Sequence, residues 1–275
     1  MAENGYAAEC GRASCGVAEY LGIHSEKEMI IARVWAPNAE SVSLCLEPEK
    51  RSSQKFEMKK EDTGNGVWCV QVPKSRIYDG IRYGFLVSRN GVERLKRDPY
   101  SVASLEIDRT ASVYTDISGF EWTDGEWLKY RKRSVQGDVE PAYAMPLNIY
   151  EIHLGSWRTR GGKNGVPLNY REIADQLIPY MKQMGYTHVQ IKGLLQGRVD
   201  ADGNVLISSF YAPDPRYGSP FDLMYLINSL HVAGIGVIAE LQMTSFPVEE
   251  NGLSEFDGEP LYESCAVDEG QRSFD

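Results

Sequence analysis

The first half of the chain alternates short apolar runs with turn signals. Four of these runs have the period-two pattern of half-buried β-strands, namely residues 29–37, 41–46, 67–72 and 81–87. A turn signal at 63–66 precedes the third run, and another at Asn90-Gly91 follows the fourth. Short strands at regular spacing, with turn chemistry between them, predict an immunoglobulin-like β-sandwich.

The second half changes to strands that alternate with helices. Residues 148–157 place apolar side chains at period two and predict a short buried strand. Asn169 as an N-cap and Gly185 as a stop delimit a helix with apolar residues at three- and four-residue steps. The patterns that follow predict a strand, a helix and a strand at 187–195, 220–233 and 236–243. This order is typical of a parallel sheet, about the first three units of a (β/α)₈ barrel.

The change of pattern near Asn148 sets the predicted domain boundaries. Residues 1–20 are predicted to be a flexible arm, 21–104 the β-sandwich module, 105–147 a linker and 148–275 a partial barrel. The linker carries Trp122 and Trp127 in a partly helical stretch. We expect these two side chains to pack one domain on the other.

Charge and composition exclude several classes of partner. The formal net charge is −10, from 39 acidic and 29 basic residues, which argues against nucleic acid or an anionic membrane surface. No apolar run is long enough to span a membrane, and the N-terminus does not resemble a signal peptide. The scattered cysteines predict that the chain acts in a reducing cytoplasm.

The cysteines predict neither a disulfide framework nor a metal site. There are five, an odd number, and none forms a CxxC pair. Cys45 and Cys69 lie in strand-like runs and are expected to pack as small core residues. No phosphate-binding or metal-binding motif occurs, so no cofactor is expected.

Several stretches of the first half resemble a known module. RVWAPNAESVSL from Arg33, GVW from Gly66 and DPY from Asp98 are similar to the family 48 carbohydrate-binding β-sandwich of glycogen branching enzymes. The resemblance implies aromatic side chains that stack on a glucan. Two such positions carry no aromatic here, at the turn 47–51 and between Gly91 and Pro99.

Two tryptophans of this module remain as glucan-binding candidates. Trp35 and Trp68 both lie inside strand-like runs, so we interpret them as core residues rather than as a sugar platform. The module is predicted to keep its fold and to bind α-glucan weakly or not at all.

The second half resembles the catalytic barrel of 1,4-α-glucan branching enzymes in glycoside hydrolase family 13. The resemblance lies in IYEIHLGSW from Ile149, in residues 169–190, in 210–238 and in LYE from Leu261. In that family a nucleophilic Asp and an acid Glu come from the fourth and fifth barrel strands. The sequence ends before a recognisable fourth strand, so the resemblance implies that this chain alone is inactive.

Family positions within the chain also differ from the family pattern. An Asp after the third strand, a His five residues later and a stacking Tyr are replaced by Glu240, Ser245 and Val205. A further family segment, EHP-like, reads Gln196-Gly197-Arg198. The site is therefore predicted to be degenerate, with no catalytic residue.

Other titratable residues have ordinary structural interpretations. His153, His188 and His231 are expected to be hydrogen-bonded structural residues. Glu151 is expected to be an ion-pair partner or a remnant of the barrel interior. The acids near the end are expected to form a solvated acidic tail, and they are Asp257, Glu259, Glu263, Asp268 and Glu269.

These observations predict a non-catalytic, branching-enzyme-like protein of α-glucan metabolism. Two alternatives remain open: part of a split branching enzyme completed by a second polypeptide, or a truncated gene product without a role. The strands at 149–154 and 237–243 would be open sheet edges, and the inner face between them is expected to be apolar. We therefore expect a second copy or a partner chain to cover the open half-barrel.

Overall fold

The structure is a computed structural model that describes residues 16–105, 110–136, 146–161, 165–199, 205–268 and 271–274. Most of the predicted arm and parts of the predicted linker lie outside these residues. The chain forms two compact units. The first contains Met1–Asp116, Gln196–Ala212 and Gln242–Asp275, and the second contains Ile117–Leu195 and Pro213–Leu241.

The first unit is built on two antiparallel sheets. It begins with a short helix, α1, at Val17–Tyr20. The strands that follow are β1 Gly22–Glu26, β2 Met29–Trp35, β3 Ser41–Leu46, β4 Gln54–Glu57, β5 Lys59–Lys60, β6 Val67–Pro73, β7 Arg82–Arg89, β8 Val92–Lys96 and β9 Ser112–Val113. One sheet has the order β1-β2-β6-β5, and the other has the order β4-β3-β7-β8, with β9 paired to β7. All four runs predicted from the first half are strands, and the predicted β-sandwich is confirmed.

Alternate residues of these strands fill one apolar core. Successive side chains on a strand point to opposite faces, so each period-two run presents one apolar side to the facing sheet. Strands β2, β3 and β7 contribute the buried residues Ile30, Ala32, Val34, Val42, Leu44, Leu46, Tyr83, Phe85 and Val87.

Described residues of the segment 242–274 contribute to this core, although the sequence pattern assigned the segment to a partial barrel. Phe246 and Phe256 belong to the core cluster and are 1% and 0% exposed. This segment contains the strands β17 Ser245–Pro247, β18 Glu263–Asp268 and β19 Gln271–Phe274. Residues 196–212, which also belong to the first unit, contain β14 Gly197–Val199 and β15 Val205–Ile207. They form a three-stranded antiparallel sheet, β17-β19-β18, and a hairpin of β14 and β15. The predicted domain boundary at Asn148 therefore differs from the observed division into two units. Aromatic residues of 196–212 and of 242–275 pack with the sandwich core.

The second unit is a parallel sheet with helices. Its elements are α2 Gly125–Gln136, β10 Ile149–His153, β11 Thr159–Arg160, β12 Val166–Pro167, α3 Tyr170–Met184, β13 His188–Lys192, α4 Pro220–Val232 and β16 Gly236–Ala239. The sheet has the order β10-β13-β16, with both pairings parallel. Ile152, Val189 and Ile191 pack in one buried cluster with Leu177 of α3 and Leu226 of α4. The predicted alternation of strands and helices is confirmed for these elements.

Local capping chemistry sets the helix ends. Asn169 and Glu172 form a reciprocal capping box at the start of α3, and Gly185 ends that helix at φ 76°. Ser219 and Asp222 form a second capping box before α4, which the sequence pattern did not predict. The third strand is shorter than predicted. It ends at Ala239, and the chain enters the first unit from Gln242.

Polar groups also hold the segment that follows β17 to the sandwich. Lys96, only 1% exposed, donates through Nζ to the backbone oxygens of Glu250 at 2.7 Å and Ser254 at 2.8 Å. The backbone N–H of Arg97 donates to the Asn251 oxygen at 2.8 Å, and the Arg97 side chain pairs with Glu249. Lys96 and Arg97 lie in the stretch before Asp98 where the family resemblance implies an aromatic residue.

Burial of Lys96 predicts a pH-dependent stability. Desolvation lowers the pKa of Lys96 from 10.5 to about 8 in the folded chain. Between these values the unfolded chain binds the proton and the folded chain does not, so stability rises as the pH increases from about 8 to about 10.5. We expect this rise in urea unfolding of the wild-type chain and a flatter profile for Lys96→Met.

The exposed Lys59 on β5 provides the control. Lys59→Met should keep the wild-type pH profile. An unchanged slope in Lys96→Met would mean that another group causes the rise.

Candidate functional site

One face of the parallel sheet carries a cluster of charged and polar side chains. Glu151 of β10 is in register with Gln190 of β13, and Lys192 lies two residues further along β13, on the same face. Glu240 follows the last residue of β16. These four residues, Glu151, Gln190, Lys192 and Glu240, are here called the sheet-face cluster.

The sheet-face cluster is one connected network. Lys192 Nζ lies 3.1 Å from Glu151 Oε1 and 3.5 Å from Glu240 Oε2. Gln190 Nε2 donates to Glu240 Oε2 at 2.6 Å. The hydrogen bond with Glu151 raises the pKa of Lys192, and burial opposes this effect. The single ammonium group of Lys192 therefore forms ion pairs with both carboxylates of the cluster.

The polar cluster corrects the prediction of an apolar inner face. Tyr150, Ile152, Val189 and Ile191 pack with the helices on the opposite face, so the alternate residues are the polar ones. The sequence HVQIK of β13 already shows this alternation, and it is the signal by which Gln190 and Lys192 could have been found. Contact with water is favourable for such a face.

The structure distributes the degenerate family positions between the two units. Glu240 is half-buried in the second unit and belongs to the sheet-face cluster. Val205 on β15 and Ser245 on β17 belong to the first unit, where Val205 is exposed and Ser245 is half-buried.

The two candidate glucan-binding tryptophans both donate their indole N–H to backbone oxygens of the sandwich. Trp68 is 8% exposed in the sandwich core, and its Nε1 donates to the Ala36 oxygen at 2.9 Å. Trp35 is half-buried, its Nε1 donates to the Asn65 oxygen at 3.0 Å, and its ring meets Tyr262 edge-on at 5.8 Å between centroids. Both indole N–H groups are therefore used within the protein, and the interpretation of the two rings as packing residues stays a prediction.

The turn at 47–51 is built from charged residues. Glu47 adopts a positive φ of 48° and pairs with Lys50. Glu49 Oε1 forms an ion pair with Arg82 Nη1 at 3.0 Å. The turn is therefore ordered by ion pairs and carries no aromatic platform.

The acidic residues near the end are not all solvated, which corrects the predicted acidic tail. Asp257 is fully buried and accepts from the backbone N–H of Asn38 at 2.9 Å. Glu263 is 5% exposed and accepts from the backbone N–H groups of Glu255, Leu261 and Tyr262. Glu259 is exposed and pairs with Arg89, whereas the side chains of Asp268 and Glu269 lie outside the described residues.

Two of the predicted structural histidines lie close to the linker helix. His231 Nδ1 lies 2.8 Å from the buried Asp124 carboxylate, and its ring stacks on Trp127 at 5.3 Å. His188 Nδ1 lies 2.9 Å from Thr187 Oγ1, and burial lowers the pKa of His188.

The other linker and strand candidates have simpler surroundings. His153 is exposed, and its Nδ1 lies 3.2 Å from the backbone nitrogen of Gly155. The rings of Trp122 and Phe120 meet at 4.8 Å, within the second unit. Among the described residues, the ring contacts of Trp122 and Trp127 lie in that unit, so packing of one domain on the other stays a prediction.

Within the described part of the chain, no group of three or more His, Cys, Asp or Glu side chains could hold a metal ion. The described helices include none that is both long and apolar enough to cross a membrane.

Comparison with known proteins identifies the origin of this arrangement. Residues 20–101 match carbohydrate-binding module 48 (isoamylase N-terminal domain). A 1,4-alpha-glucan branching enzyme of Thermosynechococcus vestitus is 34% identical over 281 residues, 93% of this chain and 35% of that protein. The enzyme of the same name from Desulfitobacterium hafniense is 39% identical over 230 residues, 84% of this chain and 35% of that protein. The chain belongs to the 1,4-alpha-glucan branching enzyme family.

Solved structures support the same fold. A pullulanase from Bacillus acidopullulyticus superposes with a TM-score of 0.64 at 24% identity, over 90% of this chain and 32% of that one. A pullulanase from Anoxybacillus, solved with maltotetraose, gives 0.63 at 21% identity, over 88% of this chain and 37% of that one. This chain spans about a third of the length of the curated branching enzymes that it matches. It corresponds to the N-terminal region of the family.

Proposed function

We propose that this chain has a non-catalytic function in cytoplasmic α-glucan metabolism. In this proposal its parallel sheet is the opening part of a (β/α)₈ barrel whose carboxylates serve structure instead of chemistry. The α-glucan context comes from the family to which the chain belongs.

The state of Glu240 carries the proposal. By the family resemblance, its position is that of an Asp that contacts the sugar under attack. Here the carboxylate accepts a hydrogen bond from Gln190 at 2.6 Å and faces Lys192 at 3.5 Å. A retaining glycosyl transfer needs one carboxylate free to attack carbon and a second carboxylic acid to donate a proton. Glu240 and Glu151 instead share Lys192 as an ion-pair partner.

The activity of the purified chain tests this proposal. We expect neither branching nor hydrolysis, measured as loss of iodine staining of amylose and as release of reducing sugar. The control is the same preparation after boiling. Activity well above that control would contradict a non-catalytic function.

A second candidate is one part of a split branching enzyme. It is favoured by the sheet order β10-β13-β16, which leaves β10 and β16 as outer strands of the described sheet. Open edges of this kind can pair with strands from another chain. Co-purification with a polypeptide that supplies later barrel strands, together with the appearance of branching activity in the mixture, would favour this candidate. Self-association of the chain stays a prediction on the same ground.

A further inference from the structure

A pocket of about 400 Å³ lies in the second unit, beside the linker helix α2. Residues of α2 and residues near the starts of β13 and β16 form its walls. The principal lining side chains are Glu126, Trp127, Tyr130, Thr187, His188 and His231. This volume falls within the range of about 300–1,000 Å³ that is typical of small-ligand sites.

The pocket lies at the opposite end of the sheet from the family's chemistry. His188 is the first residue of β13, and Gly234 precedes β16, so the pocket is at the amino ends of these strands. Active sites of (β/α)₈ barrels form at the carboxyl ends of the strands. The pocket is therefore separate from the positions discussed above.

Aromatic rings dominate the pocket wall. Trp127 stacks on His231 at 5.3 Å with an interplanar angle of 21°, and its centroid lies 5.8 Å from that of Tyr130. Tyr130 is 45% exposed. Rings of this kind bind the apolar faces of pyranoses, while nearby polar groups bind the hydroxyls.

The indole N–H of Trp127 is a buried donor without an acceptor among the residues that the structure describes. Buried polar groups are nearly always hydrogen-bonded in folded proteins. Because this nitrogen is enclosed by the protein, Trp127 contributes to the pocket through its ring and not through its N–H.

The polar groups of the pocket suit a neutral ligand. The buried Asp124 carboxylate, 2.8 Å from His231 Nδ1, fixes the orientation of that imidazole. Burial lowers the pKa of His188, so this ring is neutral at neutral pH. Glu126 is exposed and pairs with Lys129 at 2.6 Å. The lining residues include no Lys or Arg to hold an anion.

From these features we infer that the pocket binds one pyranose of an α-glucan chain. Trp127 and Tyr130 contact the ring face, and the two imidazoles contact hydroxyls. The choice of an α-glucan among neutral sugars rests on the proposed function. Glucan recognition is then located beside the linker helix, whereas the tryptophans of the sandwich are used in packing.

Titration of the full chain with maltotetraose tests the inference. Saturation-transfer NMR and tryptophan fluorescence should show millimolar binding. Trp127→Ala should weaken it at least about tenfold, the effect expected for loss of an aromatic anchor. Tyr130→Ala should weaken it as well. Because Tyr130 is largely exposed, its truncation spares the core and guards against a folding defect.

Two controls separate the pocket from other tryptophans and from nonspecific effects. Trp122→Ala removes an exposed linker tryptophan outside the pocket and should leave binding unchanged. Sorbitol, an open-chain polyol without a pyranose face, should give no saturation transfer.

Each contrary result has a distinct meaning. Absence of maltotetraose binding, equal binding of sorbitol, or binding that survives both Trp127→Ala and Tyr130→Ala would overturn the pocket assignment. None of these results affects the activity assay. Branching activity in that assay would overturn the proposed non-catalytic function and leave the binding result intact.

Discussion

Replacing Phe256 with alanine is expected to lower the free energy of unfolding of the first unit by about 3–5 kcal/mol. Phe256 is fully buried in the sandwich core, although it lies beyond the last parallel strand in the sequence. Removing its ring leaves a cavity in this core. Amide hydrogen exchange of β2 and β6 measures the effect, because these strands report on opening of the first unit.

Val248 in the same segment provides a matched control. Its side chain is 38% exposed, so Val248→Ala should change the stability by less than about 0.5 kcal/mol. If Phe256→Ala left exchange in β2 and β6 unchanged, residues 242–275 would not be part of the sandwich core.

Replacing Asp257 with alanine is expected to cost about 1.5–3 kcal/mol, the usual contribution of a hydrogen bond to a carboxylate. The Asp257 carboxylate accepts from the Asn38 backbone N–H at 2.9 Å and faces Asn38 Nδ2 at 3.4 Å. Without it, the turn between β2 and β3 loses its buried acceptor. Urea unfolding of the variant measures the loss.

Glu259, two residues further on, gives the comparison. Its side chain is 48% exposed and pairs with Arg89 at 2.8 Å, so Glu259→Ala should cost less than about 1 kcal/mol. Equal effects of the two substitutions would restore the interpretation of this region as a solvated acidic tail.

Local signals in the sequence predicted several elements well. The limits of α3 depend on Asn169, Glu172 and Gly185, which act within one turn of the helix ends. The period-two runs predicted β2, β3, β6 and β7, because each apolar position faces the opposing sheet. In the second half, the change from period-two runs to three- and four-residue steps predicted the alternation of strands and helices.

The packing of residues 242–275 with the sandwich could not be predicted, because the residues that they contact are distant in sequence. Lys96 holds the Glu250 and Ser254 carbonyls across 154 and 158 residues. Composition alone suggested a solvated tail, whereas Asp257 and Glu263 accept hydrogen bonds from the backbone. A count of acidic residues does not show which of them have such donors.

The candidate sites likewise combine features that the sequence shows with contacts that only the fold produces. The polar face of the sheet was visible in the alternation of HVQIK, but its connection to Glu240 depends on the pairing of β13 with β16. The pocket beside α2 depends on Asp124 meeting His231 across 107 residues. Sequence reasoning treated Trp127 and His231 as separate packing residues and therefore missed their association.

Assaying Glu240→Gln beside the wild-type chain tests most directly whether the Glu240 carboxylate is structural. The substitution keeps the size and the hydrogen-bonding oxygen of the side chain and removes its negative charge. We expect both proteins to give only the background of boiled samples with amylose, and the variant to unfold at a lower urea concentration because Lys192 loses one of its two carboxylates. Branching activity that is present in the wild-type chain and lost in Glu240→Gln would contradict the structural role.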